Sequence, residues 1–98
     1  MYIAHNRLAI ESEEQQKMFE ERFAMAGEHM KRVPGFVSFS MLRASDKSHF
    51  IVSTTWESEQ HFRDWVASPH FANAHGGQAR AAGQTQVSTY DVVHHANV

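Results

Sequence analysis

An apolar stripe along residues 12–33 is the sequence feature that most constrains the fold. Its members lie three or four positions apart, the spacing that brings side chains to one face of an α-helix. They are Phe19, Phe23, Ala26, Met30 and Val33. Ser12 can cap the first turn of this helix, and Pro34 followed by Gly35 predicts its end. The stripe therefore predicts one amphipathic helix over residues 12–33.

Alternation of apolar and polar residues predicts four β-strands around this helix. Residues 2–10 precede the helix, and residues 36–44 and 49–57 follow it. Residues 45–48 are polar and short enough to predict that the second and third strands pair as a hairpin. The last strand is predicted over residues 87–95.

A second helix is predicted between the third and the last strand. It covers residues 58–67, begins at a serine cap, and has an apolar face made of Phe62, Trp65 and Val66. A Ser-Pro pair predicts that it restarts over residues 68–75, because proline is favoured at the first position of a helix. Residues 76–86 are small and polar and are predicted to form a loop.

The resulting order, β-α-β-β-α-β, is that of the ferredoxin-like α+β fold, and residues 1–98 are predicted to form one domain. Helices in that fold cover one face of the sheet. The second face is also expected to be apolar, because apolar residues would occupy both faces of strand 36–44. Those on one face are Val37, Phe39 and Met41, and those on the other are Phe36 and Leu42. A second copy of the chain is the simplest cover for that face, so a homodimer is predicted.

Composition excludes several classes of function. The net charge of −2 gives no basic field to hold nucleic acid or an anionic membrane. There is no cysteine, which excludes disulfides, thiolate catalysis and zinc–thiolate sites and suits the reducing cytoplasm, the predicted location. No apolar run approaches the ~20 residues that cross a bilayer, and residues 1–10 lack the pattern of a signal peptide. Neither a membrane span nor export is therefore expected.

Three residues are candidates for a binding site, and each also has an ordinary structural explanation. Asn6 interrupts an apolar strand face, either as a satisfied structural amide or a bulge, or as an amide aimed into a pocket. Trp65 is either a core residue or part of a pocket wall. His75 precedes two glycines at a helix end, where it either caps the helix or binds a ligand beside small neighbours. The residues by themselves leave these alternatives open.

Five segments of the sequence carry a resemblance to a known family. They are HNRLAI, FEERFA, VPGFVSFSMLR, STTWESEQHFRDWVASPHFANAH and TYDVV, and they extend from residue 2 to residue 93. Together they resemble the antibiotic biosynthesis monooxygenase superfamily of dimeric α+β barrels, and within it the IsdG-type haem-degrading monooxygenases. The VPGF and TTWES pieces indicate the superfamily fold alone. The combination of Asn6 with Trp65 and His75 is the part that resembles the haem-degrading branch.

The resemblance implies a role for each of these three residues. His75 would be the axial ligand of the haem iron, Asn6 would hydrogen-bond the ligand on the opposite side of the iron, and Trp65 would press on the porphyrin. Other expected contacts are apolar walls and a cation for a propionate: Phe23, Met25, Phe71, and Arg22 or Arg80. Haem is then both cofactor and substrate. An external reductant, such as a reductase, supplies electrons, O₂ attacks a meso carbon, and the opened ring releases its iron.

Two other functions fit the same resemblance. A cofactor-independent oxygenase that acts on an aromatic polyketide or quinol would keep Asn6 and Trp65 but would not need His75 as a ligand. A non-catalytic haem-binding or carrier protein would need His75 but no turnover. Binding of haem separates the first alternative from the haem-degrading enzyme, and turnover with a reductant separates the second.

Overall fold

Four antiparallel strands form one sheet, with the helices between them in sequence. The computed structural model describes residues 1–68 and 85–97, and only the backbone of residues 85 and 86. The elements are β1 Tyr2–Ala9, α1 Glu13–Phe23, α2 Ala26–Met30, β2 Phe36–Arg43, β3 His49–Trp56, α3 Glu59–Val66 and β4 Thr85–Asp91. The strand order is β2-β3-β1-β4. This arrangement confirms the predicted ferredoxin-like α+β fold.

One face of the sheet supplies most of the buried core. Along β3, every second side chain from Phe50 to Trp56 is buried, as the two-residue period of a strand requires. The register of β1 places Tyr2 opposite Trp56 and Leu8 opposite Phe50, so both strands turn their apolar side chains to the same side. The helices pack on this side, and their buried residues Phe19, Phe23, Met30 and Trp65 meet the strands there.

The first helical segment is broken, which the sequence did not predict. Helix α1 ends at Phe23, and α2 begins at Ala26, where a continuous helix over 12–33 was expected. The backbone of Met25 lies at φ −106° and ψ 5°, outside the helical range. The N–H of Ala24 bonds to the carbonyl of Glu21, three residues back, so the last turn of α1 tightens. The predicted stripe nonetheless faces the core, because the break keeps both segments on the same side of the sheet.

A bulge in β2 changes the faces that were predicted for this strand. Phe36 lies opposite Trp56, but Ser38 lies opposite Thr55, so Val37 is an extra residue in the ladder. The extra residue shifts the alternation, and Phe36, Phe39 and Met41 all face the helices. The prediction that Phe36 opposes Phe39 and Met41 was wrong for this reason. The second face of β2 instead carries Ser38, Ser40 and Leu42.

The boundaries of the remaining elements agree in part with prediction. Ser12 and Ser58 cap α1 and α3, each accepting a hydrogen bond from the backbone N–H three residues later. Strand β4 covers Thr85–Asp91 where residues 87–95 were predicted, so it begins and ends earlier. The predicted helical restart at 68–75 and most of the loop at 76–86 lie outside the described residues. Within the described part of the chain, no helix is long and apolar enough to cross a membrane.

The turn before β2 depends on a glycine. Gly35 has φ +79°, a backbone conformation that side chains other than hydrogen make unfavourable. A Cβ atom at this position would also overlap the ring of His61. The carbonyl of Gly35 accepts a hydrogen bond of 2.8 Å from the N–H of Glu57, which ties the turn to the end of β3.

We predict that Gly35→Ala lowers the free energy of unfolding by about 1–3 kcal/mol, because it adds backbone strain and displaces the ring of His61. Gly27→Ala is the matched control. Gly27 lies in α2, and a Cβ there would meet Phe39 at 3.6 Å, which is an ordinary van der Waals distance. The control should be neutral or stabilise by up to about 1 kcal/mol. Urea unfolding followed by circular dichroism measures both. Equal effects of the two substitutions would contradict the role of the positive φ.

Candidate functional site

A cavity of about 360 Å³ lies between the sheet and the helices. This volume falls in the range of about 300–1,000 Å³ that is typical of small-molecule sites. The sheet forms one wall with Ala4, Asn6, Val52, Thr54 and Val87. The helices form the other with Phe23, Ala26, Met30, Phe62, Trp65 and Val66. Most of this surface is apolar, so the cavity suits an apolar ligand that carries a few polar groups.

The cavity exists because the core consists of two separate clusters. One cluster contains Leu8 and Phe50, and the other contains Tyr2 and Trp56. On β1, Tyr2 and Leu8 are separated on the same face by the small residue Ala4 and the polar residue Asn6. A large apolar side chain at either position would join the clusters. The sequence of β1 therefore leaves the space open.

Asn6 presents a buried polar atom to this cavity. It lies opposite Val52 of β3 and Val87 of β4, so its amide stands among apolar neighbours. Its Oδ1 is buried and has no hydrogen-bond partner among residues 1–68 and 85–97. An unsatisfied buried polar atom costs about 1–3 kcal/mol. Among the described residues, no contact accounts for Asn6 as a satisfied structural amide.

Trp65 is held firmly in the wall that α3 contributes. It is 8% exposed, and its ring centroid lies 5.2 Å from that of Trp56 and 6.4 Å from that of Phe62. Aromatic pairs at such distances stabilise by about 0.5–1.5 kcal/mol beyond their burial. Trp65 is thus both a core residue and a cavity wall, and the two explanations that the sequence left open do not exclude each other.

Thr54 is a polar wall residue that the sequence analysis missed. It is 6% exposed and lies between Val52 and Trp56 in the row of β3 side chains that faces the helices. The indole Nε1–H of Trp56 donates a hydrogen bond of 2.9 Å to Thr54 Oγ1. The available signal was a hydroxyl in an otherwise apolar row, the same kind of interruption that singled out Asn6 on β1.

Two basic side chains stand at the edge of the cavity. Arg22 of α1 and His29 of α2 both line it, and both are exposed. Neither makes an ion pair with a carboxylate in the described ranges 1–68 and 85–97. An anionic group on a ligand would meet the guanidinium of Arg22 at this edge. Arg22 is the contact that the sequence predicts, and His29 was not predicted.

The other predicted contacts have different outcomes. Phe23 is 7% exposed and lines the cavity, as expected. Met25 does not line it and is 57% exposed, because it lies at the break between α1 and α2. The prediction of Met25 as a wall was therefore wrong. His75, Phe71 and Arg80 lie outside the described residues.

The residues on either side of the segment 69–84 border the cavity. Val66 precedes this segment and is 39% exposed, and Val87 follows it and is 61% exposed. Both side chains line the cavity. Within the described part of the chain, no group of three or more His, Cys, Asp or Glu residues is arranged to hold a metal ion. The described site is therefore an apolar, aromatic-walled space with an amide and a hydroxyl in its sheet wall.

Comparison with known proteins identifies relatives. The family model for antibiotic biosynthesis monooxygenases matches residues 1–77. A "heme-degrading monooxygenase" from Bacillus thuringiensis is 31% identical over 78 residues, which are 74% of this chain and 72% of that protein. A "heme oxygenase (mycobilin-producing)" from Mycobacterium tuberculosis is 37% identical over 59 residues, 59% of this chain. The matched part spans 55% of the length of that relative.

Solved structures with the same fold include proteins of two kinds. MhuD, a haem-degrader from Mycobacterium tuberculosis, is 25% identical with a TM-score of 0.78 over the full length of both chains, in a structure with two manganese protoporphyrins per active site. SnoaB from Streptomyces nogalater, a cofactor-independent oxygenase, is 21% identical with a TM-score of 0.74, over 96% of this chain and 94% of its own. The similarity to SnoaB shows the fold alone.

We predict that Asn6→Val raises the free energy of unfolding of the ligand-free protein by about 1 kcal/mol, because it removes an unsatisfied buried amide. Thr54→Val is the contrasting variant. It should lower that free energy by about 1–3 kcal/mol, because the indole N–H of Trp56 loses its acceptor. Thermal and urea unfolding measure both changes. A loss of stability in Asn6→Val as large as that in Thr54→Val would mean that the amide has a structural partner.

Proposed function

The chain belongs to the antibiotic biosynthesis monooxygenase family, and we propose that it is a haem-degrading monooxygenase that opens the porphyrin with O₂ and an external electron donor and releases iron. Its similarity to proteins named for haem degradation supports this activity. The observation that carries the proposal is the unsatisfied amide of Asn6 in an apolar cavity walled by Trp65. The unpaired oxygen of that amide is a cost to the fold that a bound group with a hydrogen-bond donor would offset.

The described residues fit haem in three respects. The cavity is lined mainly by apolar and aromatic side chains, which suit the faces of a flat macrocycle. Its edge carries Arg22, a cation suited to a propionate. Its sheet wall carries Asn6, whose Oδ1 is buried and has no hydrogen-bond partner among the described residues. When bound, haem supplies the redox-active iron, and its own ring is the substrate.

Asn6 and Trp65 have separate tasks in this proposal. The amide of Asn6 would hydrogen-bond a small ligand in the cavity, and because an amide is no acid it would not supply a proton to that ligand. The indole of Trp65 presses on one side of the substrate. Its packing against Trp56 and Phe62 holds the indole in place, so Trp65 would keep its position against a bound macrocycle.

In this proposal His75 would hold the haem iron, and Phe71 would be an apolar wall. Support comes from the sequence resemblance and from the residues that flank this part of the chain. Val66 precedes this part of the chain and Val87 follows it, and both line the cavity. A neutral imidazole is a usual protein ligand of haem iron.

A homodimer and a reductase are the proposed partners, and the cytoplasm is the proposed location. The described helices all pack on one side of the sheet, and none of them covers the apolar residues of the second side: Ile3, Leu42, Ile51 and Tyr90. A second copy that packs sheet to sheet would remove this surface from water. Electrons for O₂ must come from outside the chain, because the proposed site holds no donor other than its substrate.

We predict that the apoprotein binds haemin with a shifted Soret band that saturates at one haem per chain. The variant His75→Ala should lose or alter this band, because the iron loses its proposed axial ligand. His70→Ala is the matched control, a neighbouring histidine that the proposal leaves unused, and it should bind as the parent does. Visible absorption in a haemin titration measures all three proteins.

Ascorbate and O₂, added to the same samples with catalase present, test turnover. Loss of the Soret band would support ring opening, whereas a stable spectrum would indicate a haem carrier. If micromolar haemin produces no shift in the parent protein, haem degradation is the wrong function. A cofactor-independent oxygenase of an aromatic polyketide or quinol would then be the better explanation.

We predict that the protein in solution has twice the chain mass of 11.2 kDa. Ile51→Glu should convert it to a monomer, because the substitution places a charge on the half-buried second face of β3. Met18→Glu is the control, since Met18 is 43% exposed on α1, on the other side of the sheet. Light scattering with size-exclusion chromatography measures the mass. A monomeric parent protein would contradict the predicted homodimer.

A further inference from the structure

The hydroxyl of Thr54 is the second polar group in the sheet wall of the cavity. Thr54 is only 6% exposed, and it lines the same cavity as Asn6. Asn6 pairs with Val52 and Ala4 pairs with Thr54, so Asn6 and Thr54 are diagonal neighbours on one face of β1 and β3. Diagonal neighbours in an antiparallel pair are roughly 7–8 Å apart, within reach of one small ligand.

The proton of this hydroxyl has no acceptor in the described structure. A threonine hydroxyl offers one donor and two acceptor lone pairs, whereas an indole N–H is a donor only. The bond from Trp56 Nε1 at 2.9 Å therefore occupies a lone pair of Thr54 Oγ1 and leaves its O–H uncommitted. In residues 1–68 and 85–97, Thr54 makes no other side-chain hydrogen bond.

The indole also fixes the direction of the hydroxyl. Trp56 is fully buried and packs against Trp65 and Phe36, so the donor that holds Thr54 Oγ1 is itself immobile. With one lone pair engaged, the O–H has a restricted set of directions. If Thr54 served only as the acceptor for the indole N–H of Trp56, its hydroxyl would have no need to line a cavity.

We propose that Thr54 is a second ligand-binding residue of this cavity, whose hydroxyl, positioned by Trp56, donates a hydrogen bond to an acceptor atom of the bound group beside Asn6. The inference rests on the proposed haem site and adds a donor to it. The ligand must carry a hydrogen-bond acceptor that fits beside Asn6, such as the terminal atom of an anion bound to haem iron or a quinone carbonyl oxygen. Its bond to the hydroxyl and the bond from the indole can form together.

The test uses the protein loaded with ferric haem and titrated with azide, followed by visible absorption. Thr54→Val should weaken azide binding roughly 3- to 10-fold, the effect of losing one hydrogen bond. Thr54→Ser keeps the hydroxyl and should bind azide as the parent does. Thr55→Val is the matched control, because Thr55 is the adjacent residue and faces the opposite side of the sheet. The affinity for haemin itself should stay within 2-fold in all three variants.

A second variant separates ligand binding from structural support. Thr54→Val leaves the indole of Trp56 without an acceptor, whereas the double variant Thr54→Val/Trp56→Phe removes both partners of that bond and so leaves neither group unsatisfied. It should show the same loss of azide affinity as the single variant. Azide affinity equal to that of the parent in either folded variant overturns the inference, while the haem site itself would stand.

If the protein does not bind haem, a different probe tests the role of Thr54. If the parent protein shows no Soret shift, 1,4-naphthoquinone replaces azide as the probe, and quenching of tryptophan fluorescence measures its binding. Weaker quinone binding in Thr54→Val, with Thr54→Ser and Thr55→Val unchanged, would support the inference for a quinone carbonyl. Equal binding of the quinone in all four proteins would overturn it together with the haem proposal.

Discussion

The interrupted apolar row on β1 is the constraint on which the rest of the structure depends. Tyr2 and Leu8 anchor two separate core clusters, and the small Ala4 and polar Asn6 between them prevent those clusters from closing into one. The two clusters bury apolar surface at opposite ends of this row, and the space between the clusters is the cavity. A fold of this size has little stability to spare. The open space and the unpaired Oδ1 of Asn6 therefore both cost stability in the ligand-free protein.

Rigid aromatic packing gives the cavity its shape. Trp56 contacts Trp65 on the helix side and, through its indole N–H, Thr54 on the sheet side. The buried Trp56 thus helps to position both the indole of Trp65 in the cavity wall and the hydroxyl of Thr54. Arg22 and His29, from two different helices, both stand at the edge of the same space. The polar groups are few and their positions are set by the core, an arrangement that favours one orientation of a ligand.

Much of this structure could be predicted from the sequence, because local periodicity reflects burial. The spacing of Phe19, Phe23 and Met30 identified the buried face of the first helical segment, and alternation identified each strand. Asn6 and Trp65 were recognised because a polar residue in an apolar row and a large aromatic residue on a helix are visible without coordinates. Thr54 carried the same signal more weakly, because threonine is a good strand former and attracts no notice in a strand.

The sequence by itself determined the order of the elements, the helix caps and the residues that interrupt the apolar rows, since these depend on neighbours a few positions apart. Only the tertiary structure decided the break at Met25 and the bulge at Val37, neither of which contains a proline or a glycine. Both are adjustments of the backbone to packing between distant elements. The bulge turned Phe36 to the helices, and the break left Met25 in solvent. Contacts across the sheet, which local patterns do not encode, fix these positions.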